Sequence, residues 1–235
     1  MKRLVVTGIP CSPKIWESFL GKRKDQHILP IYEVLNQSKS ADPRELSQTV
    51  AKAILEHQPE SLIAHGFGVP FTILALNRLA RRGELPKKMR LTFFNGAFRS
   101  FDVFHARHPL RFQFSPLMRL LREARKQGAV VDMRLRPFVP QIRSLYRQVT
   151  LFSFTEKVGK LLGLSSLIQP PVKFAWHFPT QIIASGNDPY IPMTSIEQLK
   201  QDLRAERLIQ VDYHHFPYTL PAKDILPHIE SFEGA

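Results

Sequence analysis

The chain has 235 residues, of which 43% are hydrophobic and 23% charged, a composition typical of globular proteins. Its apolar runs are shorter than the roughly 20 residues that a transmembrane helix needs, and Gly8 and Pro10 interrupt the N-terminus too early for a signal peptide. The single cysteine, Cys11, excludes an internal disulfide and any metal site built from several cysteines. We therefore expect a cytosolic protein whose length suits one α/β domain.

The net charge is the first unusual feature. The chain carries 33 Lys and Arg against 20 Asp and Glu, which gives +13 and a pI near 10.1. Between positions 99 and 147, eleven basic residues face three acidic ones, so +8 of the total lies there. A local basic excess favours an acidic partner, but it also serves solubility alone, and both interpretations stay open.

Short apolar runs alternate with helix-like segments along the chain, which predicts a mostly parallel sheet covered by helices. Asp42 is the expected N-cap of the first predicted helix, with Pro43 in its first turn. Pro30 makes the second strand the least regular. The strands are predicted at 3–7, 28–32, 61–64, 91–94, 180–184 and 207–211. The helices are predicted at 43–57, 69–82, 193–203 and 222–232.

One segment, residues 98–170, breaks this alternation, because it is rich in arginine and aromatic residues and is punctuated by prolines. We therefore expect an α/β core, formed by 1–97 and 171–235, and a basic helical lid at 98–170. Within the lid, Arg119, Arg122 and Lys126 share one helical face by their spacing. That face either contacts an anionic partner or is simply solvated.

Four short segments carry a resemblance to the α/β-hydrolase superfamily. Positions 4–12 resemble the oxyanion loop after the first core strand, and 62–68 resemble the nucleophile elbow. Positions 186–192 are similar to the acid loop, and 214–217 to the histidine loop. The order nucleophile, acid, histidine is that of the superfamily. The resemblance covers nearly the whole chain and implies an α/β-hydrolase fold with a mostly parallel sheet flanked by helices and a helical lid insertion.

The chain departs from this superfamily at the nucleophile. The elbow pattern Gly-x-Ser-x-Gly reads Ala-His-Gly-Phe-Gly over positions 64–68, so Gly66 stands where the serine is expected. Glycine relieves about 1–3 kcal/mol of backbone strain at such a turn and removes the hydroxyl. The resemblance implies that Asp188 is the acid and that His215, rather than His214, is the base, because Phe-Pro follows His215.

The remaining site residues are also implied by the resemblance. The backbone N–H groups of Ile9 and Phe67 would form the oxyanion site. Cys11 and Trp16, in and just beyond the oxyanion loop, are expected to contact a substrate or partner. A nucleophilic Cys11 would need a neighbouring base, and a small buried cysteine is the simpler interpretation. His65 is expected to give structural support.

Two functions from different classes fit these observations. The first is an esterase- or thioesterase-like protein acting on acyl chains, whose hydrolysis is reduced, lost or run by the Asp188–His215 pair through direct activation of water. The second is a non-catalytic module that binds an acyl or anionic ligand. Small carboxylesterases of the superfamily that act on carrier-linked acyl chains have arginine-bearing lids, which implies an acidic acyl carrier protein as the partner.

Other partners rank lower. Nucleic acid and an anionic membrane follow the carrier protein, because the chain lacks the signatures of nucleic-acid modules. No cofactor is expected, since the chain has neither a glycine-rich phosphate loop nor a nicotinamide fingerprint. No metal is expected either, because His105 and His108 lack a nearby acid or thiol to complete a ligand set.

Overall fold

The computed structural model describes residues 1–8, 13–31, 33–34, 42–98, 174–188, 191–213, 215 and 217–234. The strands are β1 (Arg3–Thr7), β2 (Gln26–Pro30), β3 (Ser61–His65), β4 (Arg90–Phe94), β5 (Thr180–Ala184) and β6 (Arg207–Gln210). The helices are α1 (Pro13–Leu20), α2 (Pro43–His57), α3 (Gly68–Arg82), α4 (Met193–Leu203) and α5 (Ala222–Gly234). None of the helices described is both long and apolar enough to cross a membrane.

The strands form a single sheet in the order β2-β1-β3-β4-β5-β6, and every neighbouring pair is parallel. The expected mostly parallel sheet is therefore confirmed. The strand predicted at 28–32 begins instead at Gln26 and ends at Pro30, because this edge strand starts with two half-buried polar residues that the apolar pattern missed. A proline at the end of an edge strand removes no essential ladder bond.

Helices cover both faces of the sheet, and alternate side chains of each strand point to opposite faces. Leu4 and Val6 of β1 belong to the core beneath α2, α3 and α4, whereas Val5 belongs to the core beneath α1 and α5. The central strands β1, β3 and β5 are buried along their whole length. Such strands are typical of a sheet with two covered faces.

A buried ion pair joins the two ends of the described chain. The guanidinium of Arg3, on β1, donates to the carboxylate of Glu233, on α5, over 2.5 and 3.0 Å. The hydroxyl of Ser61, on β3, donates to the same carboxylate over 2.6 Å. Both charged side chains are at most 3% exposed. This cluster holds α5 against the edge of the sheet where the parallel strands begin, opposite the edge at their carboxyl ends.

Two of the expectations fall on residues that the structure does not describe. The basic lid predicted at 98–170 lies outside the described residues except for Phe98, and so do positions 9–12 of the predicted oxyanion loop. The division into core and lid therefore stays a prediction.

Candidate active site

Four polar or glycine positions come together at the carboxyl ends of the strands, where open parallel sheets bind their ligands. Gly66 follows β3, and Asn95 follows β4. Asp188 lies in the loop after β5, and His215 in the loop after β6. The fold thus brings the predicted acid and the predicted base to the same edge of the sheet, although 26 residues separate them along the chain.

Asp188 and His215 form a hydrogen-bonded pair. The Nδ1–H of His215 donates to Oδ2 of Asp188 over 2.7 Å, and the backbone N–H of Ile191 donates to Oδ1 over 3.0 Å. The Asp188 side chain is 1% exposed and that of His215 is 9% exposed. The carboxylate fixes the imidazole tautomer, so Nε2 of the neutral ring carries the lone pair. This arrangement is that of a base held by an acid.

Gly66 lies directly in front of that base. It has a φ of +52°, and a Cβ added there would lie 3.1 Å from Nε2 and 3.5 Å from Cε1 of His215. Its backbone N–H donates to the Phe94 carbonyl over 2.9 Å, which anchors the turn to β4. A side chain at position 66 would therefore point at the imidazole, in a left-handed backbone conformation that favours glycine.

A buried histidine supports the loop that carries His215. Nε2–H of His65 donates to the His215 carbonyl over 3.0 Å, and His65 is fully buried. Burial and, to a smaller extent, the nearby His215 lower the pKa of His65 to about 3. The ring is therefore a neutral donor. Gly8 packs closely on it, because a Cβ at position 8 would lie 2.9 Å from Nδ1 of His65.

Asn95 joins the acid loop to the histidine loop. Its Nδ2 donates to the same His215 carbonyl over 2.8 Å, and its Oδ1 accepts from the Ser185 N–H over 2.9 Å. Asn95 is completely buried and has a φ of +40°, a conformation that asparagine tolerates better than most residues. From the sequence, Asn95 was only the residue after the strand predicted at 91–94, so this contact was missed. An asparagine at a buried strand end was the one available signal.

Buried polar groups brace these loops. The Ser185 hydroxyl donates to the Tyr213 carbonyl and accepts from the Asn187 N–H over 3.1 Å. The Tyr213 hydroxyl donates to the Ile183 carbonyl over 3.1 Å. Burial, reinforced by the charge of Asp188, raises the pKa of Tyr213 well above its usual value, so the hydroxyl stays protonated. The loop positions are therefore fixed by neutral hydrogen bonds.

The other predicted site residues are placed as follows. Phe67 joins Gly66 to α3, so its backbone lies at the positive end of that helix. Its side chain is 6% exposed and belongs to the core. Trp16 is completely buried, with its ring 5.7 Å from that of His65, so it supports the site from beneath. A set of expected contacts lies outside the described residues: Ile9, Cys11, Arg119, Arg122 and Lys126.

The chemistry of the described site is that of an acid and a base. No group of three or more His, Cys, Asp or Glu side chains suited to a metal ion occurs within the described ranges. The site presents an imidazole hydrogen-bonded to a carboxylate, next to a glycine turn and the N-terminal end of α3. These parts suit the abstraction of a proton and the stabilisation of a developing negative charge.

Comparisons with known proteins identify the architecture. No protein-family model matches the chain, and no curated protein matches its sequence. A thioesterase, RedJ, from the prodiginine pathway of Streptomyces coelicolor has a similar structure, with a TM-score of 0.66 and 17% identity over 98% of this chain and 85% of RedJ. A carboxylesterase from Nitrososphaera gargenis has a TM-score of 0.69 and 13% identity over 99% of this chain and 90% of the esterase.

A protein from Burkholderia ambifaria, described as an alpha/beta hydrolase fold protein, is also similar. Its TM-score is 0.62, with 17% identity over 98% of this chain and 90% of that protein. At such identities the likeness concerns the fold, and the α/β-hydrolase fold expected from the four sequence segments is confirmed, while the helical lid stays a prediction.

Proposed function

Since this chain has the α/β-hydrolase fold, we propose that it binds an acyl ester or thioester and hydrolyses it with the Asp188–His215 pair and without an elbow serine. The observation that carries the proposal is the 2.7 Å hydrogen bond between His215 and Asp188, with Nε2 of His215 turned toward position 66. An imidazole held in this way is a base poised at the place where acyl chemistry occurs in this fold.

Gly66 closes the acyl-serine route, because no hydroxyl stands at the turn. Water is then the final acceptor of the acyl group, and His215 provides the basicity. The N–H of Phe67, at the positive end of α3, would hold the oxyanion together with that of Ile9. The thioesterase and carboxylesterase structures similar to this chain support an acyl substrate class.

The proposal is tested with a panel of p-nitrophenyl esters and acyl thioesters. We expect slow turnover by the unchanged chain and none by His215→Ala, since the base is lost. His177→Ala is the matched control, because His177 is exposed and precedes the amino-terminal end of β5, whereas Asp188 follows the carboxyl end of that strand. Equal turnover by His215→Ala and the unchanged chain would contradict the proposal.

Restoring the hydroxyl gives a second readout. Gly66→Ser places Cβ 3.1 Å from Nε2, so the new hydroxyl falls within reach of the base after a small shift. We expect faster turnover, with a loss of about 1–3 kcal/mol in the free energy of unfolding from the left-handed backbone. If the unchanged chain is silent and only Gly66→Ser turns over, the site is intact and lacks only its nucleophile; silence in both would favour a binding module.

We also propose that the acyl group is delivered by an acidic acyl carrier protein, in the cytosol, which docks on the basic segment. The net charge of +8 between positions 99 and 147 supports this partner. Exposed charges are screened beyond about 8–10 Å at physiological ionic strength, so the affinity should fall as salt is added. Titration of a fluorescent carrier protein at low and high salt measures it. An affinity that salt leaves unchanged, or no binding at either concentration, would contradict the docking.

A further inference from the structure

We propose that the edge of the sheet where the parallel strands begin is a membrane-docking surface, on which the chain lies against a bilayer that contains anionic lipids. The proposal goes beyond the acyl chemistry at the opposite edge and does not depend on it. It starts from the positive charge of residues 78–88, which form the end of α3 and most of the turn before β4. These residues are called the 78–88 surface below.

The 78–88 surface is the positive part of an otherwise nearly neutral set of residues. The described residues contain 18 Lys and Arg against 16 Asp and Glu in all, whereas positions 78–88 alone contain five against one. The other described positions are therefore slightly acidic on balance. The five basic residues are Arg78, Arg81, Arg82, Lys87 and Lys88.

Most of these charges are exposed and lack acidic neighbours. Four of the five side chains are exposed, and that of Arg78 is half-buried. Within the described part of the chain, the one ion pair of this surface joins Arg82 to Glu84 at 4.0 Å. The negative end of α3 attracts cations only in its last turn, and Lys87 and Lys88 lie beyond that turn. The surface therefore has positive charge to offer an anionic partner.

The backbone holds the two lysines in place. α3 ends at Gly83, which has a φ of +69° and hydrogen-bonds back to the last turn of the helix. Pro86 and Met89, on either side of the lysines, are buried. The Arg90 N–H then donates to the Glu60 carbonyl over 2.9 Å, which fixes the end of the turn beside β3. Binding through these lysines therefore orders little backbone.

Two exposed apolar side chains lie at the same edge. Among the described residues, the exposed large hydrophobic side chains are those of Met1 and Leu55, at 47% and 37%. Leu55 lies in the last turn of α2, which packs beside α3. The residue after Met1, Lys2, accepts a hydrogen bond on its carbonyl from the Glu60 N–H over 2.9 Å. Nucleic acid would match the charges alone, whereas an anionic bilayer matches both the charges and the apolar side chains.

The direction of α3 determines how the chain lies on the bilayer. The helix begins at Gly68, beside the glycine turn of the site, and its 15 residues span about 22 Å. A bilayer at the 78–88 surface therefore leaves the Asp188–His215 pair at the far edge of the sheet, facing the solution. A ligand of that pair then arrives from the aqueous side and not from the lipid.

The test is co-sedimentation of the full chain with vesicles of phosphatidylcholine, alone or mixed with phosphatidylserine. We expect binding to the anionic vesicles only, and weaker binding as salt is added. Each basic residue near an anionic surface raises the partition coefficient about fivefold. The triple variant Arg81→Gln, Lys87→Gln, Lys88→Gln should therefore bind about 100-fold more weakly than the unchanged chain.

A second triple variant, Lys14→Gln, Arg44→Gln, Lys223→Gln, is the matched control. It removes the same charge from three exposed side chains, each at the second residue of a helix that begins at the carboxyl-end edge of the sheet. Its binding should stay close to that of the unchanged chain. Leu55→Gln should weaken binding to the anionic vesicles several-fold, because an apolar contact with the lipid is lost.

The remaining outcomes would overturn the proposal. No binding to anionic vesicles would do so, and so would an equal effect of the two triple variants, because net charge alone would then decide the affinity. Fluorescence anisotropy with a labelled DNA duplex tests the competing polyanion. Duplex binding that the 78–88 variant abolishes, in a chain that anionic vesicles do not bind, would assign the surface to nucleic acid. No arm uses an acyl substrate, so each outcome is independent of the proposed function.

Discussion

His65 makes stability at the site depend on pH, because its ring is buried and neutral. Burial lowers its pKa to about 3 in the folded chain, whereas the unfolded value is about 6.5. Between about pH 3 and pH 6.5 the unfolded chain binds a proton on His65 that the folded chain does not bind. The contribution of His65 to the free energy of unfolding is therefore fully present above about pH 6.5 and is lost as the pH falls below that value. At about 1.4 kcal/mol per pKa unit, lowering the pH from about 7.5 to about 4.5 should remove about 2–3 kcal/mol through this residue.

Urea unfolding at both pH values measures this effect. His65→Gln keeps a donor near the His215 carbonyl and has no titrating ring, so its stability should vary less with pH than that of the unchanged chain. His177→Gln removes an exposed histidine and should leave the pH dependence intact. The same pH dependence in His65→Gln as in the unchanged chain would show that His65 is not held neutral by burial.

Asn95 should control the hydrogen bond between His215 and Asp188. Asn95→Asp keeps the acceptor for the Ser185 N–H but turns a carboxylate oxygen toward the His215 carbonyl in place of a donor. We expect the downfield NMR resonance of the His215 Nδ1 proton, assigned by its loss in His215→Ala, to weaken or disappear.

Gln181→Glu is the matched control for Asn95→Asp. Gln181 is also a completely buried amide, but it donates to Thr92 Oγ1 over 2.9 Å and does not contact the site. Both variants should lower the melting temperature, and only Asn95→Asp should alter the resonance. An unchanged resonance in Asn95→Asp would show that the asparagine is structural only.

The sequence predicted the site residues that belong to local motifs and missed those that act through the backbone. Gly66, Asp188 and His215 could each be named because a turn or loop pattern surrounds them. The contacts of Asn95 and His65 could not, since both side chains donate to a carbonyl at a distant position, and a carbonyl belongs to every residue type. Such a contact therefore leaves no recognisable pattern of residue types in the sequence.

At the scale of elements, α1 was the helix that the sequence did not predict. Its eight residues follow the predicted oxyanion loop directly and were assigned no helix, although Ile15, Trp16, Phe19 and Leu20 form one buried face. The longer helices were predicted with their ends correct to within two residues. For α2 the start was marked by both an N-cap and a proline in its first turn. Short helices offer fewer periodic positions to detect.

The burial of Trp16 gives a prediction about α1. The ring is completely buried, and its Nε1 has no hydrogen-bond partner among the described residues. Trp16→Ala should therefore cost about 3–5 kcal/mol of unfolding free energy. Trp16→Phe should cost less, because it also removes an unsatisfied donor. Urea unfolding measures both. If Trp16 contacts the substrate, as the sequence led us to expect, Trp16→Phe will raise KM for a p-nitrophenyl ester. Burial predicts an unchanged KM.

At the scale of the whole molecule, the ion pair between Arg3 and Glu233 closes the sheet against α5. Removing one member leaves the other charge buried, so Glu233→Gln should cost about 3–5 kcal/mol. One turn earlier on the same helix, Glu230 pairs with Arg23 at the surface, where both side chains are at least 40% exposed. Glu230→Gln should cost about 0–1 kcal/mol. Thermal or urea unfolding compares the two variants. An equal loss of unfolding free energy in both would show that burial does not determine how much each ion pair stabilises the fold.

The order of the strands also has a consequence for folding. Strands β1 to β4 are complete by residue 94, whereas β5 begins at residue 180, so its pairing with β4 closes by far the longest connection between neighbouring strands. Closure entropy grows with the length of the connection, so this step should come late. Gly66, His65 and Asn95 belong to the early part, and Asp188 and His215 to the late one. The hydrogen bonds to the His215 carbonyl therefore join two folding units, and the dyad is delivered to its glycine turn only when the second unit docks.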